Sequence, residues 1–385
     1  MPFCHAPWTN LDISPEGAIS PCCKFNTDYY TNGHFDIDSH SIDDYRKSDF
    51  LRQIKDEWNK GIWPKGCERC KIEEDNGIAS KRQLDQERWA LEYDRYELQP
   101  HIGFITASIA FGNTCNLKCL SCGPESSTGW HQEYKELTGK TARKVEFFKK
   151  DFVQNIRYNA KHLIHLDIPG GEPFLSGVQE QRTLLGLYIE SGHSPDITLH
   201  YTTNATHFPS NLWWAAWSRF KQVEIQISID GIDEQFEFLR YPAKWQQVYE
   251  NIKKYQDVKL PNFKLSISHT VSALNVFYLP EFFDWCEAEG LPKPWCGRVQ
   301  NPEWLRPTIW TEDQSQQIIT KLNNSKHEDL KHWAKMLETT DDSKHFVSFQ
   351  EYLKWHSDYR KLDYTKVFPE LVNWINSEAS YTSIT

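Results

Sequence analysis

Three cysteines, Cys115, Cys119 and Cys122, stand directly after a strand-like apolar run, and this triplet constrains the chain more than any other feature. Thiolates packed so closely on one loop can face a single metal centre. Cysteine thiolates are the usual ligands of iron–sulfur clusters. A cubane has four irons, so three cysteines leave one iron without a protein ligand. By analogy with zinc, such an open position separates a catalytic site from a structural one. The competing readings are a zinc site and three metal-free buried cysteines. Zinc in a structural site takes four protein ligands, and no fourth Cys or His lies nearby in sequence.

The other numbers set the frame. A chain of 385 residues is long enough for a sizeable core and two or more domains. Its net charge of -10 disfavours an extended nucleic-acid surface. The densest basic run, Lys140 to Lys150, reads as a solvated helix face. No apolar stretch is long enough to span a bilayer, so no membrane partner is expected. The first residues lack signal-peptide character, and the expectation is a cytoplasmic protein. There, ten cysteines point to metal ligation or catalysis rather than disulfides.

Eight of the ten cysteines lie in the first third of the chain. Thr9 to Ile13 and Ala18 to Cys22 read as a hairpin around Pro15-Glu16-Gly17. Ser41 to Trp58 reads as one amphipathic helix, with Tyr45, Phe50, Leu51, Ile54 and Trp58 on its apolar side. Cys67 and Cys70 follow its end. Over 79–98, Trp89, Tyr93 and Tyr96 fall at helical spacing, and a boundary is placed near Pro100. From there strands and helices alternate. The expected strands are Ile102–Phe111, Leu163–Ile168, Ile197–Thr202, Val223–Ile229 and Phe263–Val271. Between them come helices at Gln179–Ser191, Trp245–Tyr255 and Leu279–Glu289. This rhythm implies an α/β fold with a parallel sheet, whose ligands sit at the carboxyl ends of the strands. From about Pro307 the chain reads as helical, a packed extension in preference to a lid.

Cys115-x3-Cys119-x2-Cys122 resembles the cluster motif of the radical S-adenosylmethionine (SAM) superfamily. The resemblance implies a partial (β/α)6 TIM-like barrel and a [4Fe–4S] cluster that binds SAM at its open iron. It also implies reductive cleavage of SAM to a 5′-deoxyadenosyl radical, which abstracts hydrogen from a substrate. One departure is Ser121, where relatives commonly carry an aromatic residue beside the adenine. Further segments are similar to family motifs, in the expected order. Gly170-Gly171-Glu172-Pro173 resembles the segment that contacts the SAM amino group. Asn204 ends the third strand, and Ser228 and Asp230 resemble the ribose contacts. Arg240 resembles the arginine that pairs with the SAM carboxylate, and Asn275 belongs to the adenine-side segment. Read without the family, Ser228 and Asp230 are a turn with a helix cap, and Arg240 is equally a surface arginine.

Cys4, Gly17, Cys22, Cys67 and Cys70 resemble the auxiliary-cluster modules called SPASM and Twitch, placed here ahead of the barrel instead of behind it. The resemblance implies a second, auxiliary [4Fe–4S] cluster on Cys4, Cys22, Cys67 and Cys70. Structural zinc on the same thiolates is the alternative. Cys23 is ambiguous, able to replace Cys22 or to be buried. Cys286 reads as core, and Cys296 as a candidate radical-quenching thiol near the last strand.

The expected organisation is a small α+β Twitch-like module over 1–99, the barrel over 100–306 and a helical extension over 307–385. The expected activity is that of a radical SAM oxidoreductase acting on a peptide or protein, with a donor such as flavodoxin or ferredoxin. A small-molecule dehydrogenase acting on a sugar or aminoglycoside is the alternative. A metal-stapled binding protein without SAM cleavage is the non-enzyme reading.

Overall fold

Alternation of apolar and polar residues builds the strands of this protein, and the polar half of that alternation ends up on one face of a single sheet. The computed structural model describes residues 3–75, 79–97, 103–145 and 150–377. Its sheet has nine strands: β1 (Asn10–Ile13), β2 (Ala18–Ser20), β3 (Phe35–Asp36), β4 (Thr106–Ile109), β5 (His165–Ile168), β6 (Thr198–Thr203), β7 (Gln222–Ser228), β8 (Phe263–Val271) and β9 (Trp295–Arg298). Their spatial order is β3-β2-β1-β4-β5-β6-β7-β8-β9. Strands β4 to β9 run parallel in chain order, as a partial (β/α)6 barrel requires.

The sheet continues across the boundary placed near Pro100, a residue outside the described ones. Strand β1 pairs in parallel with β4, Asn10 opposite Thr106 and Ile13 opposite Ile109. The hairpin read from the sequence is present, with β2 antiparallel to β1. Its turn needs Gly17, which has φ +86° and donates to the Ser14 carbonyl at 2.8 Å.

On each strand one side is apolar. Leu166 and Ile168, Leu199 and Tyr201, and Val223, Ile225 and Ile227 are fully buried. The crossover helices that return the chain between parallel strands include Val178–Glu190, Trp245–Gln256 and Leu279–Ala288. These three match the expected helices within one or two residues.

Elsewhere the structure departs from the sequence reading. The expected helix Ser41–Trp58 is two helices, Ile42–Lys47 and Asp49–Asn59. Ser48 between them is extended (ψ 149°), and its hydroxyl caps the second helix at Leu51 N, 3.1 Å. The local Ser-Asp start signal overrides the continuous apolar stripe. Residues 79–98 likewise hold two helices, Lys81–Arg88 and Ala90–Glu97, and the side chain of Tyr96 lies outside the described residues. The basic run does not begin as a helix. Gly139 ends the preceding helix in the left-handed region, residues 140–145 are irregular, and 146–149 lie outside the described residues. Strand β4 is shorter than expected, and Ile102 is outside the described residues. The C-terminal part is helical as read, over Glu312–Asn323, Leu330–Thr339 and Phe346–Arg360. No helix among the described residues is long and apolar enough to cross a membrane.

Candidate active site

The loop after β4 carries the cysteine triplet to the carboxyl end of the sheet. Cys115 is half-buried, Cys119 buried and Cys122 exposed. The loop is fixed by backbone bonds to the far side of the barrel, Lys118 N to Tyr241 O (2.7 Å) and Leu120 N to Leu239 O (2.9 Å). Burial, then the neighbouring Cys119, pushes the Cys115 thiol up to about 12. A hydrogen bond with Cys122, then burial, raises the Cys119 thiol as well, and two thiols so shielded ionise only if a cation or cluster takes the charge.

The segment after β5 approaches this loop closely. Gly171 has φ +52°, and a Cβ there would lie 2.6 Å from the Thr114 carbonyl oxygen. Only glycine fits such an approach. Glu172 is fully buried and accepts hydrogen bonds from Thr203 Oγ1 (2.7 Å) and Asn204 N (2.8 Å). Burial raises its carboxyl to about 7 against those bonds. A cationic ligand group beside it would restore the charged form.

The structure brings together the other expected contacts, with some changes of role. Asn204 points its amide at the cluster loop, donating to Asn116 Oδ1 (3.0 Å) and lying 3.8 Å from Cys115 Sγ. Arg240 is buried, with Nε 2.8 Å from Asp230 Oδ2 and Nη1 3.9 Å from Cys119 Sγ. It is therefore no surface arginine; Asp230 holds its guanidinium against the triplet. Ser228 Oγ accepts from Ser268 Oγ (3.3 Å). Asn275 uses its whole amide on backbone: it donates to Asp230 O and Thr270 O, both 2.9 Å, and accepts from Ser272 N (2.6 Å). It shapes the loop after β8. Pro173 accepts from Gln181 Nε2 at its carbonyl (2.7 Å). A small cavity joins Ser121 to Asp230, Thr270, Ser272 and Leu305. A larger cleft of about 340 Å³ shares Asp230 and Asn275 with that cavity, is lined further by Asp233, Glu234, Glu281 and Glu370, and holds none of the cysteines.

At the opposite end of β1, Cys4, Cys22, Cys67 and Cys70 line one cavity with Trp58, Trp63 and Phe25. Lys24, Lys81 and Arg82 border it, each paired with a carboxylate, Glu73, Asp85 and Glu74 in turn. Cys23 is not in its lining. It is exposed, which is not the buried alternative read from the sequence. A tetrahedral zinc holds its sulfurs about 3.8 Å apart. Among the described residues no three cysteine sulfurs lie within 4.8 Å of one another. Four thiolates on one cavity and three on one loop are donor sets that iron–sulfur clusters take. Cys286 is core, as read. Cys296 pairs with His269, while the polar-face Ser268 pairs with Trp295. Cys296 therefore points away from the polar face, which removes it as a radical-quenching thiol.

Sequence reasoning missed what lies between the two cysteine sites. Ser20, Asp12, Ser108, Asp167, His200, Glu224 and Lys264 are register partners, one per strand across seven strands. They form one polar row on the face opposite the core. His200 Nδ1 lies 2.6 Å from Asp167 Oδ1, and Ser108 Oγ donates to Asp167 Oδ2 (3.4 Å). Burial opposes both charges of the Asp167–His200 pair, but their mutual bond wins. Asp167 is held below the usual carboxylate range and His200 above the usual imidazole range. Burial raises Asp12 to about 6 and lowers His165, beside the row, to about 3. His165 Nδ1 is buried and has no hydrogen-bond partner among the described residues. The alternating polar positions of β5 to β7 were the available signal.

Comparison with known proteins follows the same lines. The Radical SAM superfamily profile matches residues 109–285, and an iron–sulfur cluster-binding domain (SPASM) matches residues 4–71. Curated proteins give no match. Among solved structures, native anSMEcpe with bound AdoMet is similar at 16% identity and TM-score 0.40, covering 66% of this chain and 62% of that one. Streptococcus suis SuiB bound to S-adenosylmethionine is similar at 16% identity and TM-score 0.38, covering 67% and 53%. Native anSMEcpe with AdoMet and the Cp18Cys peptide is similar at 16% identity and TM-score 0.39, covering 57% and 58%. The chain thus spans between 53% and 62% of the length of these structures.

Proposed function

We propose that this chain, which carries a radical SAM domain behind an N-terminal iron–sulfur cluster-binding domain, oxidises a peptide or protein in the space over its polar face. Cys115, Cys119 and Cys122 would hold the SAM-binding [4Fe–4S] cluster. Cys4, Cys22, Cys67 and Cys70 would hold the auxiliary one. When bound, the first cluster and SAM supply a 5′-deoxyadenosyl radical that removes a hydrogen atom from substrate.

The chain's own residues prepare that event. Gly170 and Gly171 let backbone approach the ligand, and Glu172 suits its amino group. Arg240, held by Asp230, suits its carboxylate. Asp167 orients His200 through Nδ1, leaving Nε2 to accept a substrate proton. The observation that carries the reading is placement. The two cysteine sites lie at opposite ends of β1 and β4, separated by at least the strand length of about 10 Å, and the polar row lies between them. The peptide class rests on the likeness of the N-terminal module to those of peptide-modifying relatives, and a small-molecule substrate is the second reading.

Deuterated cell extract, split into a peptide and a small-molecule fraction, tests the substrate class. The reconstituted protein is incubated anaerobically with each fraction, SAM and dithionite. Deuterium should enter 5′-deoxyadenosine from the peptide fraction. Transfer from the small-molecule fraction alone would replace the peptide reading with the second one.

A further inference from the structure

The C-terminal helices were read as a packed extension. One of them reaches into the cluster loop through a buried ion network. Glu133, from the helix that follows the triplet, is fully buried. Its carboxylate meets Lys118 Nζ at 2.7 Å, His356 Nδ1 at 2.8 Å and Arg360 Nη2 at 2.8 Å. Lys118 stands inside the triplet, and His356 and Arg360 stand on the helix Phe346–Arg360. Burial alone would raise the Glu133 carboxyl, but these partners hold it down at about 2.

The same helix touches the loop again. Tyr352 donates its hydroxyl to the Leu120 carbonyl at 2.9 Å. Trp130 Nε1 donates to the Cys119 carbonyl at 3.1 Å, and the Arg360 guanidinium lies over the Trp130 ring, 4.9 Å from its centroid. Two consecutive carbonyls of the triplet are therefore fixed from this side. Simple packing needs no ions, and burying them is costly unless they are fully paired. Here the charges do not cancel. Lys118 and Arg360 are positive, Glu133 is negative, and burial keeps His356 toward its neutral form. Among these four groups one positive charge is in excess.

We infer that the helix Phe346–Arg360 is part of the cluster site: through Glu133, Arg360 and Tyr352 it positions the Cys115–Cys122 loop and sets the charge next to it. The inference rests on the proposed cluster at that triplet. Reduction adds negative charge to an iron–sulfur cluster, so a positive neighbour favours the reduced form and raises its potential. Arg360 and Glu133 are positioning residues with opposite electrostatic effects.

The test is an EPR-monitored redox titration of the full-length holoenzyme with and without SAM. The signal that SAM perturbs belongs to the triplet. R360Q should move that signal to lower potential and E133Q to higher potential, while R360K stays near wild type and the second cluster is unmoved. Shifts in the same direction, equal shifts of both clusters, or no shift at full iron content would each overturn the inference. Where R360Q and E133Q fail to fold, Y352F serves, since it removes only one hydrogen bond. A chelator should then strip the SAM-responsive cluster severalfold faster than in wild type, with the other cluster unchanged. Equal rates would overturn it. A wild-type holoenzyme lacking any SAM-responsive signal would instead overturn the functional reading itself.

Discussion

Asp167 and His200 are register partners on adjacent parallel strands, and Oδ1 of one lies 2.6 Å from Nδ1 of the other. The pairing fixes the imidazole tautomer and raises its affinity for a proton. Because the folded-state value lies above the unfolded one, the His200 contribution to stability is complete below about pH 6.5. It is lost as the pH rises through the folded value. The Asp167 contribution runs the other way: it is present above the ordinary carboxylate range and is lost as the pH falls through the depressed folded value. NMR titration of histidine-labelled protein should place His200 above 6.5, and D167N should lower it. His165, pushed to about 3, should stay neutral throughout. An unchanged His200 in D167N would remove the dyad.

Gly171→Ala tests the close approach after β5. The left-handed backbone costs about 1–2 kcal/mol for a residue with a Cβ, and the Thr114 carbonyl stands 2.6 Å from that carbon. SAM binding by the reconstituted protein should weaken tenfold or more. Gly139→Ala supplies the control, because its φ is +72° but nothing lies within 4 Å of the added carbon. It should bear the conformational cost alone and leave SAM binding intact. Equal effects of the two variants would mean that the approach does not matter.

Glu172 carries a pH signature. Its carboxyl rises to about 7 in the fold, so the folded chain holds a proton that the unfolded chain releases near pH 4.5. Stability without SAM should fall as the pH rises across that window. A cationic SAM amino group beside the carboxylate would reverse the loss. The thermal shift produced by SAM should therefore be larger at pH 8 than at pH 6, and E172Q should flatten the difference. A SAM shift independent of pH in wild type would argue against Glu172 as the contact.

Cys22 and Cys23 are adjacent in sequence and should differ in chemistry. Cys22 lines the four-cysteine cavity, whereas Cys23 is exposed and outside its lining. C22A should lose about four irons per chain after reconstitution, and C23A none. The reverse result would exchange their roles.

Much of this architecture was legible before any coordinates. A short apolar run located β5 and β-branched residues located β6 to β8, of which β8 was read to the residue. The triplet and the Gly170–Pro173 segment pointed to the carboxyl ends of strands because ligand loops collect there. What escaped depends on pairs remote in sequence. Nothing local says that Asp12 and Lys264 belong to one row, since the register between them is set by five separate strand pairings. The alternating polar positions His165 and Asp167, His200, and Glu224 and Gln226 were nevertheless a usable hint. A parallel sheet buried on both faces reads as continuous apolar sequence, and these strands do not. Glu133 was invisible for the same reason: its partners His356 and Arg360 lie more than 200 residues away. Ser48 marks the reverse case, where a local cap outweighed a pattern read over a longer window.

The most direct test of the account is iron, sulfide and zinc analysis of the anaerobically reconstituted chain, with SAM cleavage by dithionite measured in parallel. Wild type is compared with C115A/C119A and C67A/C70A. The account predicts about eight irons in wild type and about four in each variant, with 5′-deoxyadenosine absent only from C115A/C119A. About four irons and one zinc in wild type, with the zinc lost in C67A/C70A, would contradict the auxiliary cluster. SAM cleavage that survives in C115A/C119A would contradict the active site itself.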